Sequence, residues 1–220
     1  MQPLPRPRAI LFDWDNTLVD TFPVIHASLS DTFLQMGHAP WTEAEVRERI
    51  RLSLRDAFPL LFAERWEEAR EVFYKAFETR HLQALTEMPG AAGLLAGLDA
   101  LGIPLGVVSN KTGRYLRREA AHLGWDRHFR ALVGAGDAAR DKPEPDPAIL
   151  ALEACGVPVD AAVWFVGDSG VDMQIAHAAG LTPVLLRADA GPAGEFDAWP
   201  PALRAETPEA LLRHVARALG

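Results

Sequence analysis

Two rhythms divide the chain. In the first, short apolar runs alternate with stretches whose hydrophobic residues recur at helical spacing. The runs are Ala9–Phe12, Pro104–Val108, Ala131–Val133, Val163–Val166 and Thr182–Leu186. Their nearly continuous apolar character predicts strands buried on both faces. Between them, Gly90–Leu101, Gly113–Leu123, Pro147–Cys155 and Val171–Ala179 read as helices. This alternation predicts an α/β core with a parallel sheet covered on both faces. In such sheets, function sits at the carboxyl ends of the strands.

The second rhythm runs from about Phe22 to Leu85, where no segment reads convincingly as a strand. Pro23–Met36, Thr42–Ile50 and Ala63–Leu85 carry helical patterns. Thr42 with Glu45 three residues later forms a capping box, which marks a helix start. Pro89-Gly90 predicts a hinge or a helix entry. The expected organisation is a core of residues 1–21 and 86–220, interrupted by a small all-helical cap of residues 22–85. At the other end, Thr207 reads as the N-cap of a terminal helix with Pro208 at its first position. Ala190–Pro201, rich in Gly, Pro and Ala, reads as a loop.

Composition narrows the class. The 220 residues are 49% hydrophobic and 24% charged, as expected for a globular chain able to bury a core. The formal net charge of −8 argues against a nucleic-acid partner, which calls for positive potential. A local positive pocket stays open. The single cysteine, Cys155, excludes an intrachain disulfide and a cysteine-cluster zinc site, and suits a reducing compartment. The apolar run near the N-terminus is four residues long, too short for a secretory signal or a membrane span. A cytoplasmic protein with no membrane partner is expected, either a monomer or a homodimer. Of the 22 basic residues only Lys75, Lys111 and Lys142 are lysines. Genome habit would account for the 19 arginines; the surviving lysines raise the question of positions arginine cannot fill.

Candidate chemistry clusters after the predicted strands. Asp13-Trp14-Asp15-Asn16-Thr17 follows the first. Two carboxylates two residues apart can share one side of an extended segment, where a cation or a shared proton relieves their repulsion. A plain turn after a strand also favours Asp and Asn. Asp168 and Asp172 follow another apolar run, in Val166-Gly167-Asp168-Ser169-Gly170-Val171-Asp172. Asp168 could cap the next helix. Paired aspartates at two strand ends also make an oxygen-rich site of the kind that holds magnesium. Ser109 follows a third strand and Lys142 the loop after a fourth. Each alone reads as a cap or a solvated lysine, but the coincidence of all four favours a site.

This constellation resembles the haloacid dehalogenase superfamily over nearly the whole chain. Its Asp-x-Asp-x-Thr motif is matched by Asp13, Asp15 and Thr17, its Ser/Thr motif by Ser109, and its Lys motif by Lys142. The Gly-Asp-x-x-x-Asp motif is matched by Gly167, Asp168 and Asp172. The helical insertion after the first motif resembles the small cap of the phosphoglycolate phosphatase and β-phosphoglucomutase branch. Trp14 and Asn16 depart from the commoner Phe and Gly, which implies altered loop packing.

The resemblance implies a Rossmann-like three-layer core and a Mg²⁺-dependent phosphatase acting on a small phosphorylated metabolite. In that reading Asp13 attacks phosphorus, and Asp15 is the general acid and base. Mg²⁺ is held by Asp13, the Asp15 backbone carbonyl and Asp168, with Asp172 orienting the metal's waters. Ser109 binds a phosphoryl oxygen, Lys142 pairs with Asp13 and the phosphate, and Thr17 fixes the Asp15 loop. Asn110 is a further expected phosphate contact, and Lys111 is expected at the pocket rim. A carboxylate at Asp15 favours phosphoryl transfer over dehalogenation, since a halide leaves without a proton.

In the cap, Arg51 and Arg55 are four apart and share a helical face. They are candidates for an anionic substrate group, or a solvated face partnered by Glu48 and Asp56. His38 and Trp41 are weaker candidates, and His122 and His177 read as packing or surface residues. A phosphomutase or pyrophosphatase of the same superfamily is the alternative chemistry. A non-catalytic binding protein is the alternative class, which the intact motif set opposes. Phosphonoacetaldehyde hydrolysis would need a cap lysine, and Lys75 lies well past the expected position.

Overall fold

The computed structural model describes residues 4–49 and 54–220, with the side chains of 47–49 and 54–56 left aside. The chain opens with β1 (Ala9–Phe12) and β2 (Val19–Asp20). Four helices follow: α1 (Phe22–Gln35), α2 (Glu43–Arg49), α3 (Leu54–Phe62) and α4 (Trp66–Arg80). After β3 (Thr86–Glu87) come α5 (Ala91–Ala100), β4 (Leu105–Thr112), α6 (Gly113–His122) and β5 (Phe129–Ala135). Next are α7 (Asp146–Cys155), β6 (Val163–Gly167), α8 (Gly170–Ala178), β7 (Thr182–Leu186), β8 (Leu203–Ala205) and α9 (Pro208–Leu219). The chain divides into two compact units, residues 1–19 with 87–220, and residues 20–86.

The larger unit is built on a parallel six-stranded sheet in the order β5-β4-β1-β6-β7-β8. Every residue of β1 and β6 is buried, as continuous apolar strands in a covered parallel sheet must be. One cluster joins Leu11, Val108, Val133, Ala151, Leu152, Phe165 and Ile175. Each fully buried Leu or Phe contributes roughly 1.5–3 kcal/mol by leaving water. The terminal helix starts where its cap predicts, with the Ala210 amide donating to Thr207 Oγ1 over 3.2 Å. A short β2–β3 pair forms a separate two-stranded sheet.

The smaller unit is helical. Its core is aromatic, with Phe33 against Trp41 and Phe62 at 4.8 and 5.3 Å, and Phe58 against Phe62 and Phe73 at 5.3 and 5.5 Å. The capping box forms: Thr42 N donates to Glu45 Oε2 at 2.9 Å, and Glu45 N to Thr42 Oγ1 at 3.3 Å.

Several elements differ from the sequence reading, among them β2 and β3, which no apolar run marks. The helix expected over 63–85 is a 3₁₀ turn, Ala63–Arg65, followed by α4, which ends at Arg80. Helix α3 was not expected, and Pro59 inside it masks the pattern. Strand β8 is three residues long and is defined by pairing with β7, Val184 opposite Leu203, so no local pattern marks it. Among the described residues no helix is long and apolar enough to cross a membrane.

Candidate active site

The strand order makes the site. From β1 the chain builds β4 and β5 on one side, then returns to build β6, β7 and β8 on the other. The carboxyl end of β1 is therefore a switch point, where neighbouring connections depart in opposite directions and leave a crevice. Phe12 pairs with Val107 on one side and Val166 on the other. Register thus brings Asp13, Ser109 and Asp168 to the same end of the sheet. The Asp13 amide continues the ladder, donating to the Val166 carbonyl at 2.8 Å.

Lys142, from the segment between β5 and α7, reaches into this end. Its Nζ donates to Asp13 Oδ1 at 2.6 Å and to Asp172 Oδ1 at 2.8 Å, and all three residues are buried. The Thr17 hydroxyl lies 3.4 Å from Asp13 Oδ2 and 3.3 Å from Asp168 Oδ1, bridging the two strand ends. Asp172 serves two elements. Its Oδ2 accepts from Ser169 N at 3.1 Å and Ser169 Oγ at 2.6 Å, which caps α8, while Oδ1 faces Lys142. Ser169, not Asp168, is the N-cap residue. Gly167 is required for this packing, since a Cβ there would lie 2.3 Å from Asp172 Cγ.

The turn after β1 has its own local logic. Asn16 adopts φ 61°, the left-handed region, which Asn tolerates better than most residues with a side chain. Its amide donates to the Val19 carbonyl at 2.7 Å, and Leu18 N donates to Trp14 O at 3.0 Å. Asn therefore stands where the related motif commonly has Gly, without disturbing the turn.

Burial and charge pull the site in opposite directions. Burial raises the Asp13 pKa against the lowering influence of Lys142; with Asp172 and Asp15 also raising it, the result is about 7. Burial likewise raises Asp168 well above the usual carboxylate range, with Asp172 and Asp13 adding to it. For Lys142, burial alone would lower the pKa, but Asp13 and Asp172 outweigh it and the net direction is up. Oxygen atoms of Asp13, Asp168 and Asp172 lie within 4.8 Å of one another. Three carboxylates share the Lys142 ammonium, and the Arg187 guanidinium near Asp168 is itself paired with Glu195, so ionising all three leaves an acidic excess. An all-oxygen donor set with such an excess fits a hard divalent cation.

The remaining candidates separate. Asn110 Nδ2 donates to the Lys142 carbonyl at 3.1 Å, so its amide ties down the lysine segment. Ser109 Oγ accepts from Lys111 N at 3.1 Å. Lys111 is not at a rim. Its side chain is 6% exposed, and Nζ sits 2.6 Å from both Asp15 Oδ1 and Glu119 Oε2. Burial alone would lower its pKa, but these two carboxylates raise it overall. A buried ammonium between two carboxylates lends little free positive potential to a rim.

Arg51 lies outside the described residues, and so does the side chain of Arg55 on α3. His38 and His122 are exposed, as is Lys75 on α4. Trp41 packs on Phe33, and His177 bonds the Pro200 carbonyl at 2.9 Å. Two residues of the site carry no sequence signal. Arg187 donates to the Asp168 backbone carbonyl at 2.8 Å while pairing with Glu195 at 2.7 Å. Glu119, in α6, looks in sequence like one more charge on a helix face, yet it is fully buried.

Known proteins resemble this chain in sequence and in fold. A family model described as haloacid dehalogenase-like hydrolase matches residues 10–186. A phosphoglycolate phosphatase of Xylella fastidiosa is 33% identical over 180 residues, covering 80% of this chain and 78% of that protein. One of Rhodospirillum rubrum is 33% identical over 192 residues, covering 82% and 79%. A haloacid dehalogenase-like family hydrolase of Streptococcus pneumoniae aligns with a TM-score of 0.85 over 95% of this chain and 98% of that one. Its 22% identity makes that a likeness of fold.

Proposed function

The chain belongs to the haloacid dehalogenase-like hydrolase family, and from that premise we propose that it is a phosphatase cleaving a small phosphomonoester through an aspartyl-phosphate. Phosphoglycolate, the substrate in the names of its relatives, is the first ester to test. The observation that carries this reading is Lys142 clamped between Asp13 and Asp172 beside Asp168, in a buried acidic cluster at the switch point. Such an arrangement holds an anionic nucleophile and an anionic substrate together only with compensating positive charge.

In this reading an Asp13 oxygen attacks phosphorus as the ester P–O bond breaks. Asp15 gives its proton to the departing oxygen. The same carboxylate, now ionised, takes a proton from the water that attacks the aspartyl-phosphate, releasing inorganic phosphate and restoring Asp13. Lys142 stays on Asp13 Oδ1 and spreads the charge that develops on the transferring group. Ser109, whose Oγ accepts from Lys111 N, donates its O–H to a phosphoryl oxygen. Asn110 holds the Lys142 segment in place.

Mg²⁺ would be held by the carboxylates of Asp13 and Asp168 with the Asp15 carbonyl. The chemistry it supplies when bound is neutralisation of charge between nucleophile and phosphate. Asp172 has both oxygens engaged by Lys142 and Ser169, so its contribution is to orient rather than to ligate.

The test is hydrolysis of 4-nitrophenyl phosphate and phosphoglycolate by the purified protein, with Mg²⁺ or with EDTA. Turnover of both is expected with Mg²⁺, and its loss in Asp13→Asn with an unchanged circular dichroism spectrum. Wild-type turnover by Asp13→Asn would remove the nucleophile assignment.

A further inference from the structure

Glu119 is the buried charge that the mechanism above leaves unused. It projects from α6 with no exposed surface. A carboxylate taken so far out of water is costly unless charge-assisted hydrogen bonds replace its hydration. Two do. Trp14 Nε1 donates to Glu119 Oε2 at 2.8 Å, and Lys111 Nζ donates to the same oxygen at 2.6 Å. The other side of that ammonium faces Asp15 Oδ1, also at 2.6 Å. Trp14 lies between Asp13 and Asp15 in the chain, is wholly buried, and meets Trp125 and Phe129 edge-on at 6.0 and 6.3 Å. Glu119 therefore grips the segment of the two aspartates twice: directly through the indole, and through Lys111 at the carboxylate of Asp15.

We propose that Glu119 is a positioning residue for Asp15, acting through Lys111. This rests on the reading of Asp15 as the general acid and base. The Asp15 side chain is 23% exposed, so packing alone does not immobilise it. A lysine has a long flexible stem, and an ammonium anchored at one carboxylate only would leave both partners free to wander. The second carboxylate, rigid in the interior of α6, fixes the ammonium in space. It holds Oδ1 of Asp15 and leaves Oδ2 to carry the proton to the departing oxygen. Proton transfer depends on hydrogen-bond reach, so a wandering carboxyl costs rate even with its chemistry intact. Trp14, where the related motif commonly has Phe, supplies the indole N–H that Phe lacks.

The experiment compares kcat/KM for 4-nitrophenyl phosphate and phenyl phosphate, which share a ring. 4-Nitrophenolate leaves without help, whereas phenolate leaves more easily when protonated. Asp15→Ala is the reference. It is expected to lose about 100-fold on phenyl phosphate, the scale of a general acid, and several-fold less on the nitro ester. Glu119→Gln keeps the shape and an acceptor for Trp14 but removes the charge that anchors Lys111. It is expected to lose about tenfold on phenyl phosphate and less than twofold on the nitro ester. A paired variant, Glu119→Leu with Lys111→Leu, removes both buried charges together. It is expected to fold and to show the same selective loss should Glu119→Gln not fold.

Equal losses on both esters in these variants, with Asp15→Ala selective, overturn the positioning role and leave the Asp15 assignment standing. Asp15→Ala losing equally on both esters overturns the general-acid reading itself. Wild-type rates on phenyl phosphate in the paired variant also overturn the positioning role.

Discussion

Lys142 and Lys111 are two of only three lysines in a chain with 19 arginines, and both are buried against paired carboxylates. The third, Lys75, is exposed. An ammonium is compact and can donate to two carboxylates in a narrow space, whereas guanidinium is a wide planar fork. Lys142→Arg, though it keeps the charge, is therefore expected to lower Mg²⁺-dependent hydrolysis by about 100-fold or more, the scale of losing one fixed donor to the transition state. Turnover near wild type would show that charge alone suffices. Asn16 makes the same point about the backbone. At φ 61° a β-branched side chain is strained, so Asn16→Val should cost about 1–3 kcal/mol, and Asn16→Gly much less. Urea midpoints of the two variants check this, and equal shifts would contradict it. The special character of residues 13–17 is legible in sequence, since Asp, Asn and Thr directly after an apolar run signal a turn with chemistry. What Glu119 and Arg187 do is not, because a charge on a helix or after a strand looks the same whether it faces water or an ion pair.

At the scale of elements, the turn from β6 into α8 joins packing to chemistry. Gly167 ends the strand, Ser169 caps the helix, and Asp172 closes the capping box while holding Lys142. A methyl group on Gly167 would stand 2.3 Å from Asp172 Cγ and 2.4 Å from its Cβ, so the side chain cannot simply swing clear. Gly167→Ala is thus expected to destabilise by about 1–3 kcal/mol, as overpacking does, and to weaken Mg²⁺-dependent activity with it. Chemical denaturation and a rate assay on the same preparation test this, and a fully active, equally stable variant would refute it. The apolar strands β1 and β6 were readable because burial on both faces leaves no polar residue in them. Strand β8 was not, because three residues at a sheet edge owe their state to their neighbour β7. Ser109, which reads in sequence as following its strand, lies within β4 itself, since pairing with β5 extends β4 to Thr112.

For the whole molecule, the acidic cluster couples folding to pH and, on the proposed reading, to cation binding. Without a divalent cation, Asp13 titrates near pH 7 in the folded protein against 3.8 as its ordinary value. Between those values the folded state binds a proton that the unfolded chain has released. Its stability therefore falls as pH rises through that window. A cation held by the same carboxylates competes with the proton and binds better as pH rises. The expected result is a larger gain in Tm on replacing EDTA with Mg²⁺ at pH 8 than at pH 5. An equal or larger gain at pH 5 would contradict it.

The sequence by itself determined the parallel α/β core, the helical insert and the short polar motifs at the strand ends. Those follow from periodicity, turn chemistry and capping, which act between residues a few positions apart. Only the tertiary structure decided which charges meet. The pairing of Lys142 with Asp13 across 129 positions was expected only through the family resemblance, and nothing in the sequence sets Trp14 against Glu119 across 105. Strand order sets such meetings, by laying β4 and β6 on either side of β1. Burial then turns them into obligations, because a charge removed from water must find its partner inside the fold.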